Sequence, residues 1–406
     1  MPFFKIFLRY LFVYLCMQSF TSKIMATPQN TSKRVYFPYL DVVRFIAAFM
    51  IIIYHGYEAW RGWFGEIGIL SGGTYTTLSP GGKLIHQMLK NFEIGVDIFF
   101  LLSGFLITYI LIKEKERFGK INIFNFIVRR TLRIWPLYFL LIAIAPFIVS
   151  WVNADTPNYL ANILFVNNFH AINTTKWAYP FAHFWSICIE EHFYLVWPFI
   201  IAFVPTKHLM KIFISLIIIS IAFRMYTVMS MDKPWFTLYL HTVSRMDVLI
   251  IGAIGACYYA KKPFEINLSR YFRILLWVVL ISVFCLEPVV NWGSVFLGGF
   301  KKFFYIAIIS MLLLDYNFNA KFRHILKPNS IFHYFGKISY GIYMYGNILL
   351  LIIMKKMMMK WEIDNLYIYM LLLTGLTLII PAISYELIER PILKLKRKFA
   401  MIKTQR

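Results

Sequence analysis

Acidic residues are scarce: 19 Asp and Glu stand against 42 Lys and Arg in 406 residues, a formal charge of +23. Charge of both signs together reaches only 15%, while 60% of the chain is hydrophobic. That is too little charge and too much apolar surface for an ordinary soluble domain. In a soluble protein the basic excess would suggest a nucleic-acid partner. Here the basic residues sit in short loops between apolar runs, so no nucleic acid is expected and membrane orientation accounts for them better. Cysteine is sparse too. Cys16, Cys188, Cys257 and Cys285 all lie in apolar stretches, without CxxC or metal-ligand spacing, and no metal is expected. The chain also lacks internal repeats and a disordered linker. No inverted-repeat symmetry is evident, which disfavours many transporter folds.

What is present is a series of apolar runs near the twenty residues that cross a bilayer core of about 30 Å. Ile134–Trp151, Ile212–Met229 and Leu366–Leu387 are examples. Spans are expected at 38–59, 94–112, 134–152, 183–204, 212–229, 244–260, 274–290, 303–314, 338–354 and 366–388, the eighth being short. With Lys33 and Arg34 inside, the inner segments hold 26 Lys and Arg and the outer ones 10. The bias predicts an all-α integral membrane protein, a bundle of about ten helices with both termini cytoplasmic. Residues 1–37 form an N-terminal segment, 38–390 the transmembrane domain and 391–406 a basic cytoplasmic tail. Lys5 and Arg9 precede a short apolar run, Tyr10–Met17, which resembles a signal-peptide core. The alternative start at Met25 is favoured, because a cleaved signal would leave the next helix with its N-terminus outside.

Ionisable residues within spans mark functional sites by default. In the first span, Arg44 and His55 are eleven residues apart, within roughly 20° of one helix face and about 16 Å apart along the axis. Ala48 and Ile51 continue that stripe. A snorkelling Arg and an unrelated interfacial His are the plain alternative. Asp41 lies one turn before Arg44. Asp97 lies near the outer end of the second span, where Ser103–Gly104 allows close approach of a backbone or ligand. Arg130 and Arg133 share a helix face, with Arg129 beside them. They suit either lipid headgroups or a phosphate clamp. In the fourth span His183, Ser186, Glu190, Tyr194 and Trp197 run down one face. Glu190 and Glu191 need partners or raised pKa values, and Arg224, Arg245 or Arg44 are candidates. Arg245 and Asp247, two apart, should each pair with another helix.

These strings resemble the bacterial membrane acyltransferase-3 family, the O-antigen and exopolysaccharide O-acetylases among them. The matching pieces are LDVVRFIAAFMIIIYH, GVDIFFLLSGFLI, FIVRRTLRIWPLYF, FWSICIEEHFYLVWP, SRMDVLIIGAIGA, ISYGIYMY and SYELIERPILKLKRKF, in the family's order from Tyr39 onward. The resemblance implies transfer of an acyl group, usually acetyl from acetyl-CoA, to a hydroxyl of an extracytoplasmic or lipid-linked glycan across the inner membrane. It makes His55 the catalytic residue and puts Arg130 and Arg133 at the acyl-CoA end. The family's acidic pair falls on Glu190 and Glu191. His192 replaces the usual Gln, and Gly346 stands where the family often has a His. Some members carry a C-terminal hydrolase-like domain; none is expected here, so transfer would finish within the membrane domain.

The implied mechanism has Arg130, Arg133 and Arg44 holding the donor's phosphates and His55 acting as general base. Glu190 or Asp41 would orient the imidazole. Ser186, Asp97, Glu191 and Arg245 are further buried polar candidates. Membrane lipids are the surrounding partner. A proton-coupled transporter or flippase of a polysaccharide precursor is the alternative.

Overall fold

In the computed structural model the described residues are 37–64, 79–177, 179–232, 234–261, 268–286, 295–319, 322, 330–358, 360 and 365–399. Among them regular structure is helical, with no strand. An apolar chain in lipid must satisfy its backbone internally, and helices do so segment by segment. The long helices are α1 (Pro38–Phe64), α2 (Pro80–Asn91), α3 (Gly95–Phe118), α4 (Ile123–Val152), α5 (Trp185–Phe203) and α6 (Leu209–Ser230). They continue with α7 (Thr242–Lys261), α8 (Arg270–Leu286), α9 (Val295–Phe318), α10 (Ile331–Ile352) and α11 (Leu366–Ser384).

Eight segments among the described residues are long and apolar enough to cross a membrane, and the chain is a multi-pass integral membrane protein. They contain α1, α3, α4, α5, α6, α7, α10 and α11. The remaining two expected spans fall on α8 and α9, and the apolar part of α9, Phe303–Phe318, is short. Apart from Phe37, the N-terminal segment lies outside the described residues, as do Cys16 and the tail beyond Phe399. Of the other cysteines, Cys188 and Cys257 are buried and Cys285 is half-buried.

Two elements differ from expectation. The 60–93 connection contains α2, started by Ser79, whose Oγ accepts from the Gly82 N–H at 3.1 Å. Helix α4 begins at Ile123 rather than near 134, so its arginines ride on one continuous 30-residue helix. The reason is local. Gly119 ends α3 in the left-handed region at φ 70°, and Asn122 caps α4 by accepting from the Asn125 N–H at 2.9 Å. Glu114, fully buried, accepts from the Asn122 N–H at 2.8 Å and pairs with Arg129 at 3.2 Å. Lys115 donates to the carbonyls of Ile201, Ala202 and Val204, supplying acceptors' partners where α5 ends.

Helices α3 and α7 meet backbone to backbone. A Cβ on Gly104 would lie 1.8 Å from the Leu249 carbonyl oxygen, and one on Gly252 would lie 2.1 Å from that of Leu101. Small residues permit such contact where lipid offers no hydrophobic drive between helices. Gly104→Val should therefore cost about 3 kcal/mol through overpacking. Gly255→Ala, whose added methyl meets only ordinary contacts near 3.7 Å, should be close to neutral. Thermal unfolding in detergent separates the two; equal melting temperatures would contradict this packing.

Candidate active site

Most charges inside the helices are spent on each other. Arg245 donates to Asp97 at 2.6 Å, from α7 to α3. Arg224 on α6 reaches Asp247 at 2.8 Å, and Arg273 on α8 reaches Asp315 on α9 at 2.6 Å. Arg245 and Asp247 thus each take a partner on another helix. Arg245 also lies over the rings of Phe100, Trp185 and Tyr239, so Asp97 and Arg245 form a packed structural pair. Asp41 holds Arg44 at 2.8 Å with one oxygen and His333 Nδ1 at 2.8 Å with the other.

A second group is left over. Among the described residues no carboxylate comes within salt-bridge distance of Arg130 or Arg133. Arg130 Nε is buried without a partner, and its guanidinium lies over the rings of Phe126 and Tyr194 at 5.5 and 5.6 Å. Glu190 is held by neutral hydroxyls: Ser103 donates at 2.7 Å and Tyr194 at 2.8 Å. Glu191 accepts from Trp135 Nε1 at 3.2 Å and keeps its other oxygen unpartnered. Neither takes Arg224, Arg245 or Arg44 as a partner, because those guanidiniums are engaged with aspartates. Glu389 Oε1 is likewise buried without a partner.

Of the leftover groups, Arg130, Arg133 and Glu190 converge. A cavity of about 60 Å³ is lined by Arg44, Arg130, Arg133, Glu190 and Ser186, with Ser103, Tyr194 and Tyr343 among its other walls. Five helices contribute: α1, α3, α4, α5 and α10. Asp41, Asp97, Glu191, Arg245 and His55 are not in its lining.

His55 stands farther along α1. The stripe between is buried as its spacing requires, with Arg44 6%, Ala48 0% and Ile51 1% exposed. The His55 ring lies 5.2 Å from that of Tyr54. Its Nδ1 is buried without a hydrogen bond, the Ile51 carbonyl one turn back being outside bonding geometry. Neither Glu190 nor Asp41 hydrogen-bonds to His55. His183 is within longer-range electrostatic reach of His55, without a hydrogen bond or ring contact between them. His183 Nε2 lies 3.1 Å from the Met344 carbonyl. A carbonyl only accepts, so the proton is on Nε2 and Nδ1 keeps a lone pair. Ser186 Oγ and Tyr343 OH share a hydrogen bond at 2.6 Å, so one donates to the other and the other donates to the His183 carbonyl, which lies 3.2 and 2.9 Å from them. Ser186 and Tyr343 also wall the cavity, so hydrogen bonds link its wall to the His183 backbone.

Sequence reasoning did not single out His183, Ser103, Tyr194, Tyr343 or Glu389 as site residues. For His183 and Tyr194 the signal was available in their shared face with Ser186 and Glu190. Nothing in the ISYGIYMY string alone selects Tyr343 from its neighbouring tyrosines.

The fold and these contacts define an all-α membrane protein whose unpaired arginines face a buried polar cavity. A family model described as "Acyltransferase domain" matches residues 37–386, and the chain belongs to that family, acyltransferase-3. It is similar to the protein named O-acetyltransferase OatA of Staphylococcus aureus strain NCTC 8325 / PS 47, 28% identical over 389 residues. The match covers 88% of this chain and 57% of that one, and OatA of strain COL matches with the same figures. The chain thus spans little more than half the length of these curated relatives. No solved structure matches it.

The two groups of charges should respond differently to mutation. Asp97→Asn strands the Arg245 charge in the bundle and should destabilise by about 3–5 kcal/mol. Glu190→Gln, held by hydroxyls, should change stability by less than about 1 kcal/mol. Denaturation of the purified variants in matched detergent tests this; similar losses for both would remove the distinction.

Proposed function

We propose that the chain is an O-acyltransferase of the inner membrane that moves an acyl group, acetyl in the first instance, from cytoplasmic acyl-CoA to a hydroxyl of an extracytoplasmic or lipid-linked glycan. The observation that carries this is the unpaired Arg130 and Arg133 on a buried cavity. Three arginines against the single carboxylate Glu190 leave an excess of positive charge on the cavity wall, and an anionic ligand relieves its cost. Guanidinium pairs bind phosphate oxygens in bidentate fashion. Acyl-CoA brings phosphates at one end of a long arm and a thioester at the other. The printed names of the staphylococcal relatives support O-acetyl transfer as the reaction class.

The distance along α1 fits such a donor. Arg44 and His55 are about 16 Å apart along the helix axis, a span the extended pantetheine arm bridges. With the 26-to-10 bias of Lys and Arg, the Arg44 end is cytoplasmic and the His55 end faces outward, with both termini inside. At about 60 Å³ the cavity is smaller than the arm, so the bundle would have to open to admit it.

In the reaction, the acceptor oxygen attacks the thioester carbonyl carbon while His55 removes its proton. Nδ1 is buried, which leaves Nε2 as the more open nitrogen for that step. The tetrahedral oxyanion collapses, the C–S bond breaks, and the imidazolium returns the proton to the thiolate of CoA. Glu190 acts at the donor end: it sits among Ser103, Tyr194 and the arginines and balances their charge. Asp41 fixes Arg44. Among the described residues no carboxylate hydrogen-bonds to His55, so the base acts without a triad partner.

His55→Ala in the purified, folded protein should lower acyl transfer by at least 1,000-fold, in line with loss of a general base and its proton relay. Arg130→Ala/Arg133→Ala should abolish the thermal stabilisation that acetyl-CoA gives the wild type. Full transfer by the first variant would remove His55 from the chemistry. Unchanged stabilisation of the second would move the donor elsewhere.

A further inference from the structure

A second cavity, of about 400 Å³, lies within the 153–182 connection, away from the arginines. Its volume falls within the range of small-molecule sites, about 300–1,000 Å³. Asp155, Asn158, His170, Thr174, Lys176 and Trp177 supply its chemistry. The walls are rich in hydrogen-bonding groups and poor in aliphatic side chains. The two formal charges, Asp155 and Lys176, are opposite. An anion would meet Asp155 and a cation would meet Lys176, so the balance favours a neutral ligand with many hydroxyls.

Trp177 provides the one large aromatic surface. It is half-buried and held by the rings of Phe236 at 5.3 Å and Trp235 at 6.1 Å. Short helices fix the polar groups around it. Asn158 caps Tyr159–Ile163, accepting from the Ala161 N–H at 2.9 Å, and Thr174 donates to the His170 carbonyl at 2.9 Å. A pyranose ring has this complementarity, with an apolar C–H face and a rim of hydroxyls.

The cavity is also at the His55 end of the bundle. Ala182 lines it, and the next residue is His183, within electrostatic reach of His55. Trp177 lies 6.5 Å from the ring of Tyr239. Tyr239 and Tyr179 are each within electrostatic reach of Tyr54, whose ring lies against His55.

We infer that this cavity is the acceptor subsite and takes a neutral pyranose unit, stacked on Trp177 and bonded through its hydroxyls to Asp155, Asn158 and Thr174. The inference rests on the acyl-transfer reading for its role, but sugar binding can be measured without it. The experiment is calorimetric titration of the detergent-purified full chain with cellotriose, maltotriose and chitotriose. At least one should bind saturably. Trp177→Ala and Asp155→Ala should weaken that binding tenfold or more, Trp177→Phe should retain it within about threefold, and acetyl-CoA stabilisation should be unchanged in all three. Absence of saturable binding by every trisaccharide overturns the inference, and so does equal affinity in folded Trp177→Ala. If the wild type binds sugar through Trp177 but transfers no acyl group, the acyl-transfer reading fails while the sugar site stands. If transfer proceeds and the acceptor KM is indifferent to Trp177 and Asp155, the subsite alone fails.

Discussion

A charge buried in an apolar bundle must find a partner or a purpose, and that constraint orders this protein. Arg245–Asp97, Arg224–Asp247, Arg273–Asp315 and Arg129–Glu114 join helices across the bundle. Each pair consumes charges that would otherwise be liabilities. The same accounting isolates Arg130, Arg133, Glu190, Glu191 and Glu389, which have no ion-pair partner at bonding distance. Their gathering on a few neighbouring helices is what makes a functional reading possible.

Helix α1 links the two ends of that reading. Asp41 spends both oxygens on Arg44 and His333, which fixes the guanidinium at the cavity wall. One helical face then carries the line to His55. Gly346, where the family often has a His, backs this face: a Cβ there would lie 2.1 Å from Ile52 Cδ1. The position is committed to packing α10 against α1.

Much of the fold was legible because the bilayer imposes a length and a polarity that apolar runs must meet. Eight of the ten expected spans fall on segments long and apolar enough to cross a membrane, and the other two fall on α8 and α9, with 287–290 outside the described residues. The start of α4 was not legible, since FIVRRTLR looks polar and only the buried Glu114–Arg129 contact explains its helical, inward course. Helix α2 was hidden for another reason: at 12 residues, with Lys83, His86, Gln87 and Lys90 in it, it is too short and too polar to read as a span. Within the site, periodicity revealed which residues share a face, as with Arg44 and His55. It could not reveal which charges cancel. Asp97 and Arg245 looked as promising as Arg130 until their mutual contact was seen, because pairing across 148 positions has no local signature.

The electrostatic difference between the two cavities gives the proposed reaction its direction. The inner one is walled by three arginines against one carboxylate, Glu190, and only Arg44 has an aspartate partner, so the wall would favour a polyanion over a neutral sugar. The outer one balances Asp155 against Lys176 and offers hydroxyl partners and an aromatic face, so phosphates gain nothing there. Donor and acceptor would therefore sort themselves by charge before any chemistry occurs. His55, between them and free of carboxylate partners, is then limited by what reaches it from either side rather than by a fixed triad. On this reading Tyr54, whose ring lies 5.2 Å from that of His55, would stand between the proposed base and the proposed acceptor subsite, so orientation of the base and arrival of the acceptor would be coupled.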